Sequence, residues 1–312
     1  MDWLTLPSDP RPLGTSGIMC RPLAWGFRPV AGTGQAAARA AVTAAAAAGF
    51  GLVTVADHPA AGSRLAFGAA ESLLGEALAA EPGAAGPLLL GVRGGIAAGP
   101  LYDARAASLV AALDASLQRL KRPHADLFIL QRPDWLAHPA EVAEAFATIL
   151  QSGRARSIGL AHHHLPRLRA ILAHLPSPPA LIELPMSALD PAPLNEGLLD
   201  FAMEQGLAVL ASAPLAEGQI GDRPDFAASV THRATLRALD AIAGQQGVSR
   251  AAVAAAFVAL HPARPIPLFG TQDPAELKAA GDLFRVRFTR ADWYRILEAA
   301  LGERLPTLDA DR

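Results

Sequence analysis

The sequence predicts an α/β protein, a single (β/α)8 barrel of the TIM type occupying residues 1–312. Three observations predict it. Short apolar runs alternate with longer segments of helical periodicity from end to end. Eight such runs can be placed, each followed by a helical pattern. The runs are mostly apolar instead of alternating regularly with polar residues, as parallel strands covered on both faces tend to be. A doubly wound open sheet is the competing topology, and the absence of a glycine-rich dinucleotide fingerprint after the first run counts against it. No charge run, low-complexity linker or repeat marks a second domain.

The elements follow in order. Leu23-Ala24-Trp25-Gly26 reads as the first strand, with a helix over 34–48. Leu52-Val53-Thr54-Val55 is the second, with a helix over 69–80. Leu88 to Val92 is the third. Its helix, over 104–120, places Leu109, Ala112, Leu113, Leu117 and Leu120 at three- and four-residue spacing, one buried face. Leu127-Phe128-Ile129-Leu130 precedes a helix over 141–150, Ser157 to Leu160 one over 165–175, and Leu181 to Leu184 one over 194–205. Leu207 to Ala211 is the seventh strand and Ile266 to Phe269 the eighth. Between them lie a long loop and two helices, the second capped by Ser249. Helices from about 273 complete the chain: Asp273-Pro274 opens one, and Thr289 with Asp292 forms the capping box of another.

Composition bounds the function. The 312 residues are 51% hydrophobic and 18% charged, with 27 basic against 29 acidic side chains, which excludes a disordered chain. The near-neutral balance argues against a nucleic-acid partner. Cys20 is the single cysteine, so no intrachain disulfide can form. The start lacks the charged and apolar runs of a signal peptide, and the greasiest stretch, 36–50, is too short to span a bilayer. A cytoplasmic protein without a membrane partner is expected. Lysine occurs only at 121 and 278 and tyrosine only at 102 and 294, so lysine- or tyrosine-based chemistry has four candidates.

Several segments, taken in order, resemble an aldo-keto reductase over nearly the whole chain. Gly49-Phe50-Gly51 through Asp57-His58 resembles the family's second strand and the loop after it. Val92-Arg93-Gly94-Gly95 resembles its Thr-Lys-Gly-Gly, and Leu130-Gln131-Arg132-Pro133-Asp134 its Leu-His-Arg-Pro-Asp. Ser152-Gly153-Arg154, Pro214-Leu215 and Phe269-Gly270-Thr271 continue the series. The resemblance implies carbonyl reduction with a nicotinamide cofactor, a Tyr donating the proton, a Lys–Asp pair tuning it and a His orienting the carbonyl.

At those four positions this chain keeps one residue. Asp57 stands at the aspartate, Arg93 at the lysine and Gln131 at the histidine, while the tyrosine position falls at Ala61-Gly62. The cofactor positions implied are Ala161, Leu181, Ser212, Ala213, Leu215, Gly270 and Thr271. His162 follows Ala161 where the family has Asn, and Glu276 stands where a cation usually meets an adenosine 2′-phosphate. The expectation is therefore a reductase-like barrel without ordinary NADPH-dependent carbonyl reduction, binding a small ligand or a protein partner at its mouth. No cofactor is then required, and NADP(H) or NAD(H) enters if the family function survives. The alternative is an active but atypical enzyme, an oxidoreductase or acid–base catalyst using Asp57, Arg93 and a histidine such as His58 or His162. A scaffold subunit is a third possibility.

Plainer roles stand beside these. Asp57 and Arg93 are expected to form an ion pair at the mouth. The run His162-His163-His164 is not expected to hold a metal, because adjacent side chains diverge and no carboxylate partners are evident. Glu183 reads as a paired structural carboxylate and Tyr294 as packing, Tyr102 as an ordinary element before its helix or else a replacement for the missing phenol, and Trp25 as either pocket lining or packing. Gly94-Gly95 reads as a tight turn.

Overall fold

The computed structural model of the chain describes residues 3–59, 63–97, 102–222 and 229–306. A hairpin comes first, β1 (Arg11–Pro12) antiparallel to β2 (Met19–Cys20). Then β3 (Ala24–Gly26), β4 (Leu52–Ala56), β5 (Leu89–Gly94), β6 (Ala125–Leu130), β7 (Ala155–Ala161), β8 (Leu181–Pro185), β9 (Ala208–Ser212) and β10 (Ile266–Phe269) form a closed barrel in chain order. Every neighbouring pair is parallel, and β10 closes on β3 through Leu268 opposite Ala24. This is the (β/α)8 barrel the sequence predicts.

The helices in order are α1 (Gln35–Ala47), α2 (Ala69–Ala80), α3 (Pro82–Ala85), α4 (Ala106–Leu120), α5 (Pro139–Gln151), α6 (Leu165–Leu172), α7 (Leu198–Gln205), α8 (Val230–Gln246), α9 (Arg250–Ala259), α10 (Pro274–Ala280) and α11 (Arg290–Leu301). Helix α4 buries Leu109, Leu113, Leu117 and Leu120, as its spacing requires, but Ala112, at the margin of that face, is only half-buried. Ser249 caps α9, and Thr289 with Asp292 boxes the start of α11. Several boundaries differ from the sequence pattern, three of them at helices α5, α6 and α7. Helix α5 begins earlier, because His138 accepts from the Ala140 N–H and Glu141 reaches back to the His138 N–H. Helix α6 stops at Leu172. The helix expected over 194–205 is a short 3-10 turn at Ala192–Leu194, then α7 after Gly197 at φ +74°.

Two apolar layers follow from the alternation of side chains along each strand. Val53, Val55, Val92, Phe128, Leu130, Ile158, Leu160, Ile182 and Val209 point outward and pack beneath the helices. Leu52, Leu127, Ile129, Ala161, Leu181, Leu210, Ile266 and Leu268 point inward and fill the barrel, sealed by Leu13, Ile18 and Cys20 of the hairpin segment. The barrel is therefore a packed core with one polar end. No described helix is long and apolar enough to cross a membrane.

Candidate active site

The polar residues gather where the strands end. Arg93 lies at the end of β5, 6% exposed, with Ile129 beside it in register on β6. It belongs to the inward series, so its guanidinium rises above the apolar plug into the mouth. One nitrogen lies 2.6 Å from Glu183 Oε2, and another donates to Gln131 Oε1 at 3.1 Å. Glu183 is 3% exposed on β8, opposite Ala161 of β7. The ion pair thus crosses the mouth from β5 to β8. The partner expected for Arg93 was Asp57; the partner found is Glu183. A guanidinium in the inward series faces across the barrel, whereas Asp57 sits just past the end of the adjacent strand.

Asp57 is 2% exposed, and its Oδ1 lies 3.6 Å from Nδ1 of His58, whose side chain is a quarter exposed. The loop after Asp57 returns to it: Gly68 N–H donates to the Asp57 carbonyl at 2.6 Å. Gly68 is at φ +79°, and Arg119 packs over it while holding Glu71 at 2.6 Å. Burial pushes the Glu71 carboxyl above its usual range. Ala61 and Gly62, the positions implied for the tyrosine, lie outside the described residues.

The three consecutive histidines diverge. His162 Nε2 faces Glu183 Oε1 at 3.6 Å, and its backbone N–H donates to the Glu183 carbonyl at 2.8 Å. Its backbone adopts φ +58°, a conformation that costs a non-glycine residue energy and recurs where function demands it. His163 turns inward and its Nδ1 donates to the Ala161 carbonyl at 2.8 Å, while His164 is exposed and precedes α6. Desolvation lowers both His162 and His163 to about 4, so both rings are neutral at pH 7. No group of three or more His, Cys, Asp or Glu among the described residues is placed to hold a metal ion.

The remaining candidates divide. Ala161 and Leu181 belong to the apolar filling of the barrel and offer no side-chain hydrogen bond. Ser212 ends β9, and its hydroxyl is buried without a hydrogen-bond partner among the described residues. Ala213 follows at φ +52°, and Leu215 packs against the outer core. Beyond β10, Gln272 donates to the carbonyls of Gly26 at 3.0 Å and Gly270 at 3.2 Å, and its own buried oxygen has no hydrogen-bond partner among the described residues. The Thr271 hydroxyl donates to Glu276. Trp25 is fully buried and donates to the Thr271 carbonyl at 2.9 Å, tying β3 to this loop. Tyr102 is half exposed, and Tyr294 packs against Trp293 on α11.

That Glu183 is paired was expected from the sequence, but Arg93 as its partner was not. Its signal was available: position 183 shares the inward parity of Leu181 on a strand that ends at the mouth.

Residues 25–300 match the Aldo/keto reductase family. The chain is 39% identical over 308 residues, 98% of its length and 100% of the other, to a protein of Novosphingobium aromaticivorans named 6-dehydroglucose reductase. A protein of Agrobacterium fabrum with the same name is 27% identical over 244 residues, 75% of this chain and 80% of its own. The glycerol dehydrogenase of Gluconobacter oxydans superposes with a TM-score of 0.81 at 20% identity, covering 97% of this chain and 99% of that one, a likeness of fold.

These relatives overturn the expectation of an inactive, ligand-binding barrel with a degenerate active site. A protein that matches this chain from end to end bears the name of a reductase. The alternative, an active but atypical enzyme, fits that finding.

Proposed function

The chain belongs to the Aldo/keto reductase family, and we propose that it is an active oxidoreductase that reduces the aldehyde group of a sugar with a nicotinamide cofactor. The names of its relatives point to 6-dehydroglucose as the substrate. The observation that carries the reading is the set of polar groups at the mouth, buried Asp57, Arg93 and Glu183 with half-buried Gln131, above a largely apolar barrel interior. A fold does not need charges there, and burying them is costly.

A nicotinamide dinucleotide fits the residues present. The unpaired Ser212 hydroxyl and Gln272 oxygen offer a donor and an acceptor on neighbouring strand ends. With Ala213, Leu215, Gly270 and Thr271 they would hold it, and when bound it supplies the hydride. Glu276, engaged by the Thr271 hydroxyl, puts a carboxylate where a 2′-phosphate would otherwise be welcomed. NADH is therefore the expected cofactor, favoured over NADPH by about tenfold or more in affinity, the effect of roughly 1.4 kcal/mol.

The protein's own groups do the rest. Arg93 carries five N–H donors and spends only some on Gln131 and Glu183, so its guanidinium can stabilise the oxyanion that forms at the carbonyl oxygen. That oxyanion must take up a proton. His162 is a poor source, because burial holds it at about 4 and leaves it neutral. His58, partly exposed and with its Nδ1 3.6 Å from the Asp57 carboxylate, is the proton donor.

Steady-state assays of 6-dehydroglucose reduction, followed by loss of cofactor absorbance, test this reading. Turnover with NADH is expected, and His58→Ala should lower kcat by about 10²–10⁴-fold, the usual effect of losing a general acid. Absence of turnover with either cofactor, or a His58→Ala variant with the wild-type rate, would overturn it.

A further inference from the structure

We propose that Glu183 is a positioning residue that sets two groups of the mouth at once, holding the Arg93 guanidinium with one oxygen and the His162 ring with the other. The inference rests on the reductase reading for its kinetic consequence but on geometry alone for its structural one. Glu183 is nearly fully buried, with Oε2 2.6 Å from Arg93 and Oε1 3.6 Å from His162 Nε2. The two contacts come from different strands, β5 and the end of β7, and Glu183 itself from β8.

The surrounding architecture makes the bridge possible. Strands β6 and β7 separate β5 from β8, so Arg93 must reach over them. On β7 the inward series towards the mouth is Gly159 and then Ala161, the smallest side chains available. An added Cβ at Gly159 would meet the Leu181 side chain at 2.8 Å, so the interior would have to shift to admit one there. Just past the end of β6 the next inward residue is Gln131, which accepts from Arg93 and so supports the crossing. Arg93 is thereby held from two sides, by a neutral amide and by a carboxylate, and its orientation is over-determined.

His162 is held twice as well. Its N–H binds the Glu183 carbonyl at 2.8 Å while its ring faces the same residue's carboxylate. The left-handed backbone at φ +58° turns the ring back toward β8. A carboxylate facing Nε2 favours the tautomer that carries its proton there, which leaves Nδ1 as the acceptor. One buried carboxylate therefore sets both the direction of a cation and the tautomer of a neutral imidazole.

Two measurements test this, one independent of turnover. In ¹⁵N-labelled protein, His162 should show protonated Nε2 in the wild type and a changed tautomer balance in Glu183→Gln. An unchanged His162 spectrum in a folded Glu183→Gln would overturn the proposal even if the wild type proved inactive. In the active protein, Glu183→Gln should lose at least tenfold in kcat, with NADH binding, read by protein fluorescence, within about twofold of wild type. Glu183→Asp, which keeps the charge, should recover part of that loss. A Glu183→Gln variant with a lowered melting temperature but wild-type kcat would show a structural role alone and would overturn positioning. Absence of turnover in the wild type would instead count against the reductase reading and leave the spectroscopic test to decide.

Discussion

Arg93 and Glu183 form a pair whose side chains are 8% and 2% exposed, so each charge depends on the other. Removing one partner of such a pair strands the other in a poorly solvated site and typically costs ~3–5 kcal/mol. Arg93→Ala should therefore lower the melting temperature sharply, and Arg93→Lys less, because an ammonium keeps the charge but loses the fork. Equal melting temperatures for Arg93→Ala and wild type would contradict the pairing. At this scale Asp57, Arg93 and Gln131 were legible in the sequence, because short motifs place them at strand ends. The partner of Arg93 was not. Motifs fix positions along the chain, whereas the ion pair depends on which side chains share the interior of a closed barrel. The inference from missing catalytic residues to missing activity failed for a related reason: it counted residue types and not the groups the mouth assembles in their place.

Among elements, the turn that joins β4 to α2 decides how Asp57 is presented. Gly68 closes the loop through its N–H on the Asp57 carbonyl, at a φ of +79°. A Cβ there would sit 2.6 Å from the Arg119 side chain, which cannot yield freely while it holds Glu71. Gly68→Ala should cost about 1–2 kcal/mol in backbone strain alone and more from the clash. It should also lower kcat, since the Asp57–His58 pair loses its fixed approach. Chemical denaturation and steady-state kinetics on one preparation check both, and unchanged stability would contradict the clamp. Strands and long helices were legible from periodicity. The helix starts that differed, α5 and α7, turn on single residues: His138 acting as a cap, and Gly197 entering the left-handed region. The β1–β2 hairpin escaped notice because two-residue strands leave no periodic signal.

For the molecule as a whole, the polar end of the barrel sets a limit on acid stability. His162 and His163 are lowered by burial from 6.5 to about 4. Between those values the unfolded chain binds more protons than the folded one. Stability therefore rises with pH across the window and is lost as pH falls from 6.5 toward 4. Each ring contributes roughly 3 kcal/mol across the full window. Urea titrations at pH 7 and pH 5 should show this loss, and His163→Asn, which keeps a donor near the Ala161 carbonyl, should show less of it. An identical loss in wild type and variant would contradict the burial of His163 as its cause.

Hydride transfer to a sugar aldehyde is proposed for this barrel although only Asp57 of the four family positions is kept. Incubation of 6-dehydroglucose with NADH deuterated at the transferable C4 position, followed by mass spectrometry of the product, measures it directly. Glucose carrying a single deuterium at C6, formed by the wild type and nearly abolished in His58→Ala, is the expected result. Recovery of unreduced aldehyde, with no deuterium transferred from either NADH or NADPH, would contradict it.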